Sequence, residues 1–347
     1  MIGAPGLDRA AEANRMQGGT MTSHSNEHRR SRRNSERSVD SLESETTNRW
    51  AVILAGGDGE RLRPLTRLIA GDERPKQFCS FLDGETLLEQ TRRRVAFSVP
   101  PSQTLIVVTE AHEPFYTSLL SDVPADRLIE QPANKGTAPA ILYSLLRLAA
   151  VAPTATVAFF PSDHYFFDEE RFMAHVASAF ESADLNPHLI TLLGMTPENP
   201  EVEYGWIEPD RPISSKGSFS FYRVRRFWEK PSHVLATKLM AEGCLWNSFV
   251  MVGRAQALLR MTQEAISFLY DNFANVFSHL TTAREKSSIR ALYSDLTSTN
   301  FSRDVLTKCP EKLAVLAVSE VGWSDWGSPQ RARATFARIG IHAGSAA

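Results

Sequence analysis

AVILAGGDGERLRPLT, residues 51–66, is the stretch whose reading decides the fold. It opens as a short apolar strand, Ala51 to Leu54, and breaks into a loop carrying Gly56, Gly57 and Gly59. A strand that feeds a glycine-rich turn lets backbone N–H groups approach a phosphate, because glycine has no Cβ in the way. Arg61 follows the last glycine and adds a planar, permanently charged fork suited to phosphate oxygens. The spacing matches neither G-x-x-x-x-G-K-[ST] nor G-x-G-x-x-G, which excludes the P-loop and the dinucleotide fingerprint. An ordinary strand-to-loop turn is the competing reading. Arg74-Pro75-Lys76-Gln77-Phe78, just downstream, weighs against it. Lys76 beside a rigid proline can serve as a second point charge for phosphate, against the usual fate of lysine as a solvated surface group.

Outward from this stretch, strands and helices alternate. Residues 50–55, 104–109, 127–130, 156–160 and 188–194 are short and rich in Val, Ile, Leu and Phe, as in strands buried on both faces. Helical segments are expected near 86–97, 112–121, 137–151 and 169–183. The alternation predicts an α/β fold, Rossmann-like, with a mixed, mostly parallel sheet flanked by helices. Ligands of such sheets sit beyond the carboxyl ends of the strands. The Gly-rich loop and Asp163, each following a strand, should therefore face one crevice. After residue 195 the texture changes to Pro-rich loop, then strands at FSFYRVRRFWEKP, LWNSFVMVG and KLAVLAVS (312–319). Residues 254–308 read as mostly helical, with Leu258, Leu259, Met261, Ile266, Leu269, Phe273 and Phe277 as core packing.

Residues 1–48 read as a disordered tail, rich in Ser, Arg, Glu, Asn and Thr without apolar periodicity. Its basic cluster His28 to Arg33 is followed by no apolar segment, which argues against an export signal. An over-extended start, with Met16 or Met21 as the initiator, is the other reading. One domain is expected over 49–347, with a nucleotide-binding half over about 49–194 and a sugar-phosphate half over about 195–335. The 347 residues are 42% hydrophobic with net charge −2, enough for a large core and without the field that nucleic acid or an anionic membrane would favour. No apolar run reaches the roughly 18 residues of a membrane span. Cys79, Cys244 and Cys309 are too few and too scattered for a disulfide framework or zinc site, and a reducing cytoplasm fits.

LAGGDGERLRPLT followed by RPKQF resembles the signature of the sugar-1-phosphate nucleotidyltransferases, and the Lys76-Gln77-Phe78 form is most similar to the mannose-1-phosphate guanylyltransferases. The resemblance continues through Pro132 to Ala140, Pro161-Ser162-Asp163-His164, Tyr204-Gly205-Trp206-Ile207, Glu229-Lys230-Pro231, Trp246-Asn247-Ser248 and Trp323-Ser324-Asp325. Six elements in order over roughly residues 50–335 are far more specific than any one of them.

The resemblance implies the nucleotide-diphospho-sugar transferase type of fold. It implies transfer of a nucleotidyl group from an NTP to a sugar 1-phosphate with release of pyrophosphate, GTP and mannose 1-phosphate being the favoured pair. Arg61 and Lys76 would serve the triphosphate and catalysis. Gly56, Gly57, Gly59, Asn134 and Thr137 would bind the nucleotide. Gly205, Glu229, Lys230 and Asn247 would bind the sugar phosphate, and Asp163 and Asp325 would hold one Mg²⁺. Helix capping for Asp163 and turn formation for Asp325 are the plainer roles. For Glu229-Lys230 the plainer role is an exposed charge pair. His164 is read as a neighbour of the metal aspartate without proton transfer. The few residues after Asp325 are expected to hold no hexapeptide β-helix or isomerase domain. Three departures stand out: Phe249 where the family often has glycine, Trp-Gly-Ser-Pro after Asp325, and Glu203 where a glycine often precedes Tyr-Gly. They bear on the sugar more than on the reaction. A glucose-1-phosphate uridylyl- or thymidylyltransferase, or a non-catalytic sugar-nucleotide-binding regulatory protein, remains an alternative.

Overall fold

The computed structural model describes residues 48–82, 84–213 and 219–340. The expected tail therefore lies, apart from Asn48, outside the described residues. The strands are β1 (Arg49–Leu54), β2 (Ser80–Leu82), β3 (Glu85–Thr86), β4 (Thr104–Thr109), β5 (Leu128–Gln131), β6 (Thr156–Pro161), β7 (Ile190–Met195), β8 (Gly205–Ile213), β9 (Phe221–Glu229), β10 (Leu245–Arg254) and β11 (Leu313–Val318). The helices are α1 (Arg63–Ala70), α2 (Leu87–Val95), α3 (Glu113–Tyr116), α4 (Thr137–Val151), α5 (Glu169–Leu185), α6 (His233–Ala241), α7 (Ala255–Ala265), α8 (Ser267–Ala274), α9 (Glu285–Asp295) and α10 (Pro329–Arg338).

Among the described residues, nine strands form one sheet in the order β5-β4-β1-β6-β10-β7-β11-β9-β8. Strands β5, β4, β1 and β6 run parallel, as do β7 and β11. Strand β10 enters between β6 and β7 antiparallel to both, so the two halves of the chain interleave in one sheet. This is the mixed, mostly parallel sheet expected of the nucleotide-diphospho-sugar transferase type.

The continuous apolar runs have a simple cause. Side chains alternate across a strand, and both faces of this sheet are covered. Val52, Leu105, Val107, Val157, Phe159, Leu192 and Val315 pack into one core with α4, α7, α8 and α9. Ile53, Ile106, Val108, Ala158, Phe160, Leu193 and Leu316 pack into a second core with α2, α5 and α6. A smaller cluster joins Leu62, Leu65, Phe81, Trp326 and Phe336, binding α1 and the β2–β3 ribbon to α10.

Several elements differ from the sequence expectation. The helix expected over 112–121 is a single turn at α3 preceded by a 3-10 turn. Helices α1, α6 and α10 were not expected. Each has an ordinary start: Pro64 in the first turn of α1, the Ser232 hydroxyl accepting from Leu235 N–H, and the Ser328 hydroxyl accepting from Arg331 N–H beside Pro329. Within the apolar stripe, Leu258, Met261, Leu269 and Phe273 are buried as core, whereas Phe277 is 40% exposed. The three cysteines are free and buried. No helix among the described residues is long and apolar enough to cross a membrane.

Candidate active site

Leu54 and Pro161, the last residues of β1 and β6, lie opposite each other in parallel register. The Gly-rich loop and Asp163 consequently leave the sheet at the same edge. The loop is held from several sides. Gln77 Nε2 donates to the carbonyls of Ala55 (3.0 Å) and Gly57 (2.7 Å), and Thr109 Oγ1 donates to the Gly56 carbonyl at 3.0 Å. Gly59 has φ +59°, and a Cβ there would meet the Lys76 backbone nitrogen at 3.0 Å. A left-handed turn pressed against the Lys76 segment therefore requires glycine. Asn134 joins the same loop, its Nδ2 donating to Asp58 Oδ2 at 2.7 Å, and His112 Nε2 lies 3.2 Å from Asp58 Oδ1.

Lys76 is not a surface lysine: its side chain is 10% exposed. The ammonium lies 3.1 Å from Asp163 Oδ2 and donates to the backbone carbonyls of Asp325 and Trp326. The loop after β6 and the turn after β11 thus meet on one cation. Burial pushes the Asp325 carboxyl up, but Lys76 and Arg331 outweigh it and hold the group below the usual carboxylate range. Tyr204 Oη (2.7 Å) and Gly327 N–H (2.8 Å) donate to Asp325 Oδ1, and Arg331 Nε lies 3.2 Å from it. Arg331 is bonded in turn to Glu201 at 2.6 Å.

His164 is buried, and burial pushes its ring pKa down to about 4. Trp323 Nε1–H donates to His164 Nδ1 at 3.2 Å, leaving Nε2 to carry the proton of the neutral ring. The buried ring is thus neutral near pH 7 and engaged with Trp323.

Thr137, Gly205, Glu229, Asn247 and Asp325 line one pocket of about 240 Å³ with His164, Glu203, Phe249, Asn300 and Ser302. Pairing of Gly205 with Glu229 and of Trp206 with Trp246 brings the three sugar-motif segments together. A Cβ on Gly205 would strike Phe227 Cζ at 2.7 Å and approach Glu229 Oε2 at 3.2 Å, so packing favours glycine there. Burial raises the Glu229 carboxyl. Asn247 is nearly buried, and its Oδ1 accepts from Phe249 N–H at 3.1 Å. Phe249 stands at φ +61°, a left-handed backbone that suits glycine, at the bulge of β10. Lys230 also has positive φ, at +47°. A larger cavity of about 670 Å³ near Phe97 and Phe167 contains none of the expected site residues.

Arg61 and Lys230 come together through a residue with no expected role. Arg61 Nη1 lies 2.9 Å and Lys230 Nζ 3.8 Å from the same oxygen, Glu203 Oε2. Sequence reasoning also missed Arg331, Tyr204 and Glu201, which hold the Asp325 turn, and Asn300 and Ser302, which line the pocket. Tyr204 lay within a quoted motif; Arg331 and the 297–306 segment carried no signal of their own.

Among the described residues, no group of three or more His, Cys, Asp or Glu is arranged around a common point. Mg²⁺ ordinarily takes one or two carboxylates and completes its shell with phosphates and water, so Asp163 and Asp325 suffice in number. Asp163, 29% exposed and bonded to Lys76, fits such an ion directly. Asp325 would have to share oxygens already bonded to Tyr204, Gly327 and Arg331.

The chain is 29% identical over 301 residues to mannose-1-phosphate guanylyltransferase 2 of Escherichia coli O157:H7, covering 81% of this chain and 58% of that protein. It is 30% identical over 223 residues to the alginate biosynthesis protein AlgA of Pseudomonas aeruginosa, covering 63% of this chain and 44% of that protein. The chain therefore spans about half the length of the curated relatives it matches. A crystal structure of mannose-1-phosphate geranyltransferase from Thermus thermophilus superposes with TM-score 0.71 at 28% identity, covering 83% of this chain and 79% of that one. A family model described as nucleotidyl transferase matches residues 50–338, and the chain belongs to the nucleotidyl transferase family.

Proposed function

We propose that the protein transfers a nucleotidyl group from an NTP to a sugar 1-phosphate with release of pyrophosphate, and that GTP and mannose 1-phosphate are its substrates. The observation that carries this reading is the meeting of Lys76, Asp163 and the Asp325 turn beside the pocket lined by Glu229 and Asn247, at the end of the sheet where β1 and β6 stop. The names of the guanylyltransferase relatives support the choice of pair.

In this reading the sugar phosphate is already an anionic nucleophile. It attacks the α-phosphorus of the NTP, and pyrophosphate leaves in line. No strong general base is needed, in keeping with a neutral His164. The main obstacle is crowded negative charge, so the work is positioning and electrostatic compensation. Lys76 holds the loop after β6 and the turn after β11 in one rigid corner. Arg61 meets the triphosphate, and the Gly56–Gly59 backbone lies against it. Lys230 holds the sugar phosphate, while Glu229 and Asn247 bond sugar hydroxyls. Asp163 and Asp325 would hold Mg²⁺, which would supply further positive charge to the phosphates.

The test is a screen of pyrophosphate release across NTPs and sugar 1-phosphates. The expected result is highest kcat/KM for GTP with mannose 1-phosphate. A preference for UTP or dTTP with glucose 1-phosphate would overturn the pair and keep the reaction. No release with any pair, together with binding of a sugar nucleotide, would favour the regulatory reading.

A further inference from the structure

Glu203 sits where its carboxylate meets both cations expected to receive substrate phosphate. Its Oε2 is 2.9 Å from Arg61 Nη1, which comes from the loop after β1, and 3.8 Å from Lys230 Nζ, at the end of β9. The three side chains are each about half exposed, at 57% for Arg61, 47% for Glu203 and 52% for Lys230. The Glu203 backbone, in contrast, is anchored. Its N–H donates to Glu201 Oε1 at 3.0 Å, and Glu201 is held by Arg331. The next carbonyl, of Tyr204, accepts from Lys230 N–H at 3.2 Å. A half-exposed carboxylate on an anchored backbone thus lies at the rim of the pocket, where Glu203 is a lining residue.

We propose that Glu203 is an internal anion that occupies the phosphate position of the free protein and is displaced by the phosphate of the sugar substrate. The inference rests on the sugar-1-phosphate reading of this pocket. Its physical content is competition. A single negative charge exchanging with Glu203 gains little, because it meets the same two cations. Before NTP takes Arg61, that guanidinium can face the sugar phosphate as Lys230 does, so a doubly charged phosphate monoester gains from both and can displace the carboxylate. Glu203 therefore makes the site selective for monoesters over singly charged anions and lowers affinity for every phosphate. Solvent exposure keeps each ion pair weak, so the exchange is reversible.

The experiment is calorimetric titration of wild type, Glu203→Gln and the surface control Glu198→Gln with mannose 1-phosphate and with inorganic phosphate at low ionic strength. Steady-state kinetics on the same proteins accompany it. Glu203→Gln should bind both phosphates about five- to tenfold more tightly, the scale of removing one negative charge a few ångströms from the ligand. KM for the sugar phosphate should fall in proportion while kcat changes by less than about twofold, and Glu198→Gln should match wild type. Weaker phosphate binding or a raised KM in Glu203→Gln would overturn the proposal, because the carboxylate would then be orienting the cations. Unchanged binding would overturn it as well. If wild type turns over no NTP with any sugar 1-phosphate, the transferase reading falls, and the inorganic phosphate titration still decides the role of Glu203.

Discussion

Asp163→Asn and Asp325→Asn each remove one negative charge near Lys76, which pairs with the Asp163 carboxylate but bonds only the backbone carbonyl of Asp325, and they should separate in stability. The Asp325 side chain is 16% exposed and faces Arg331, which is 19% exposed. Removing one partner of a buried ion pair costs about 3–5 kcal/mol when the other charge is left alone. Here Arg331 keeps Glu201 at 2.6 Å, and asparagine keeps an oxygen for Tyr204 and Gly327, so about 2 kcal/mol is expected. For a folded unit of this size that is a drop in thermal midpoint of roughly 3 °C. Asp163 is 29% exposed, and Lys76 retains two backbone carbonyls without it, so its loss should cost less than about 1 kcal/mol. Both changes should lower kcat by about 10²-fold, on the scale of one transition-state electrostatic contact. The assay is a thermal melt beside initial rates on the same preparations. An Asp325→Asn protein that melts with wild type would refute the structural half of the argument, and two fully active variants would refute the catalytic half.

Other expectations follow from single groups. The ring of His164 titrates near 6.5 when unfolded and at about 4 when buried, so the unfolded chain binds the proton more readily between these values. Its contribution is fully present above the unfolded pKa and is lost as pH falls toward the folded one. Thermal midpoints from pH 7 downward should show this loss, and His164→Gln should flatten it; an unchanged slope would exclude burial of His164 as the cause. At φ +61°, Phe249→Gly should be more stable than Phe249→Ala by about 1 kcal/mol, since both lose the ring but only glycine relaxes the backbone. Chemical denaturation reads the difference, and the opposite order would contradict the strain assigned to this bulge.

What could be read from the sequence was what depends on local pattern. Strands β1, β4 and β6 are continuous apolar runs because both faces are covered, and such runs are visible without a structure. The loop carrying Gly59 was legible as a turn because glycines clustered after an apolar strand mark one, whereas its left-handed backbone pressed against Lys76 is seen only in three dimensions. The insertion of β10 between β6 and β7 was not legible, because strand order depends on pairing between segments distant in sequence. For the same reason Arg331 was invisible: it is an ordinary helical residue until α10 folds back onto Asp325 and Glu201. Glu203 stands out in the sequence only as a departure from a pattern; its pairing with Arg61, 142 positions away, exists only in three dimensions. The Tyr204 and Arg331 contacts close over Asp325, and no local pattern around that aspartate carries them.

The proposed reaction is attack of a sugar phosphate on the α-phosphorus of an NTP at the corner held by Lys76. Phosphorus NMR of a reaction containing GTP, mannose 1-phosphate and Mg²⁺ tests it most directly, with Asp163→Asn run in parallel. Coupled loss of the GTP and sugar-phosphate signals is expected, with equal growth of pyrophosphate and a sugar-linked diphosphate, and at least a roughly hundredfold slower change in the variant, the cost of one lost transition-state contact. Formation of GDP and inorganic phosphate instead, or equal rates in wild type and variant, would contradict it.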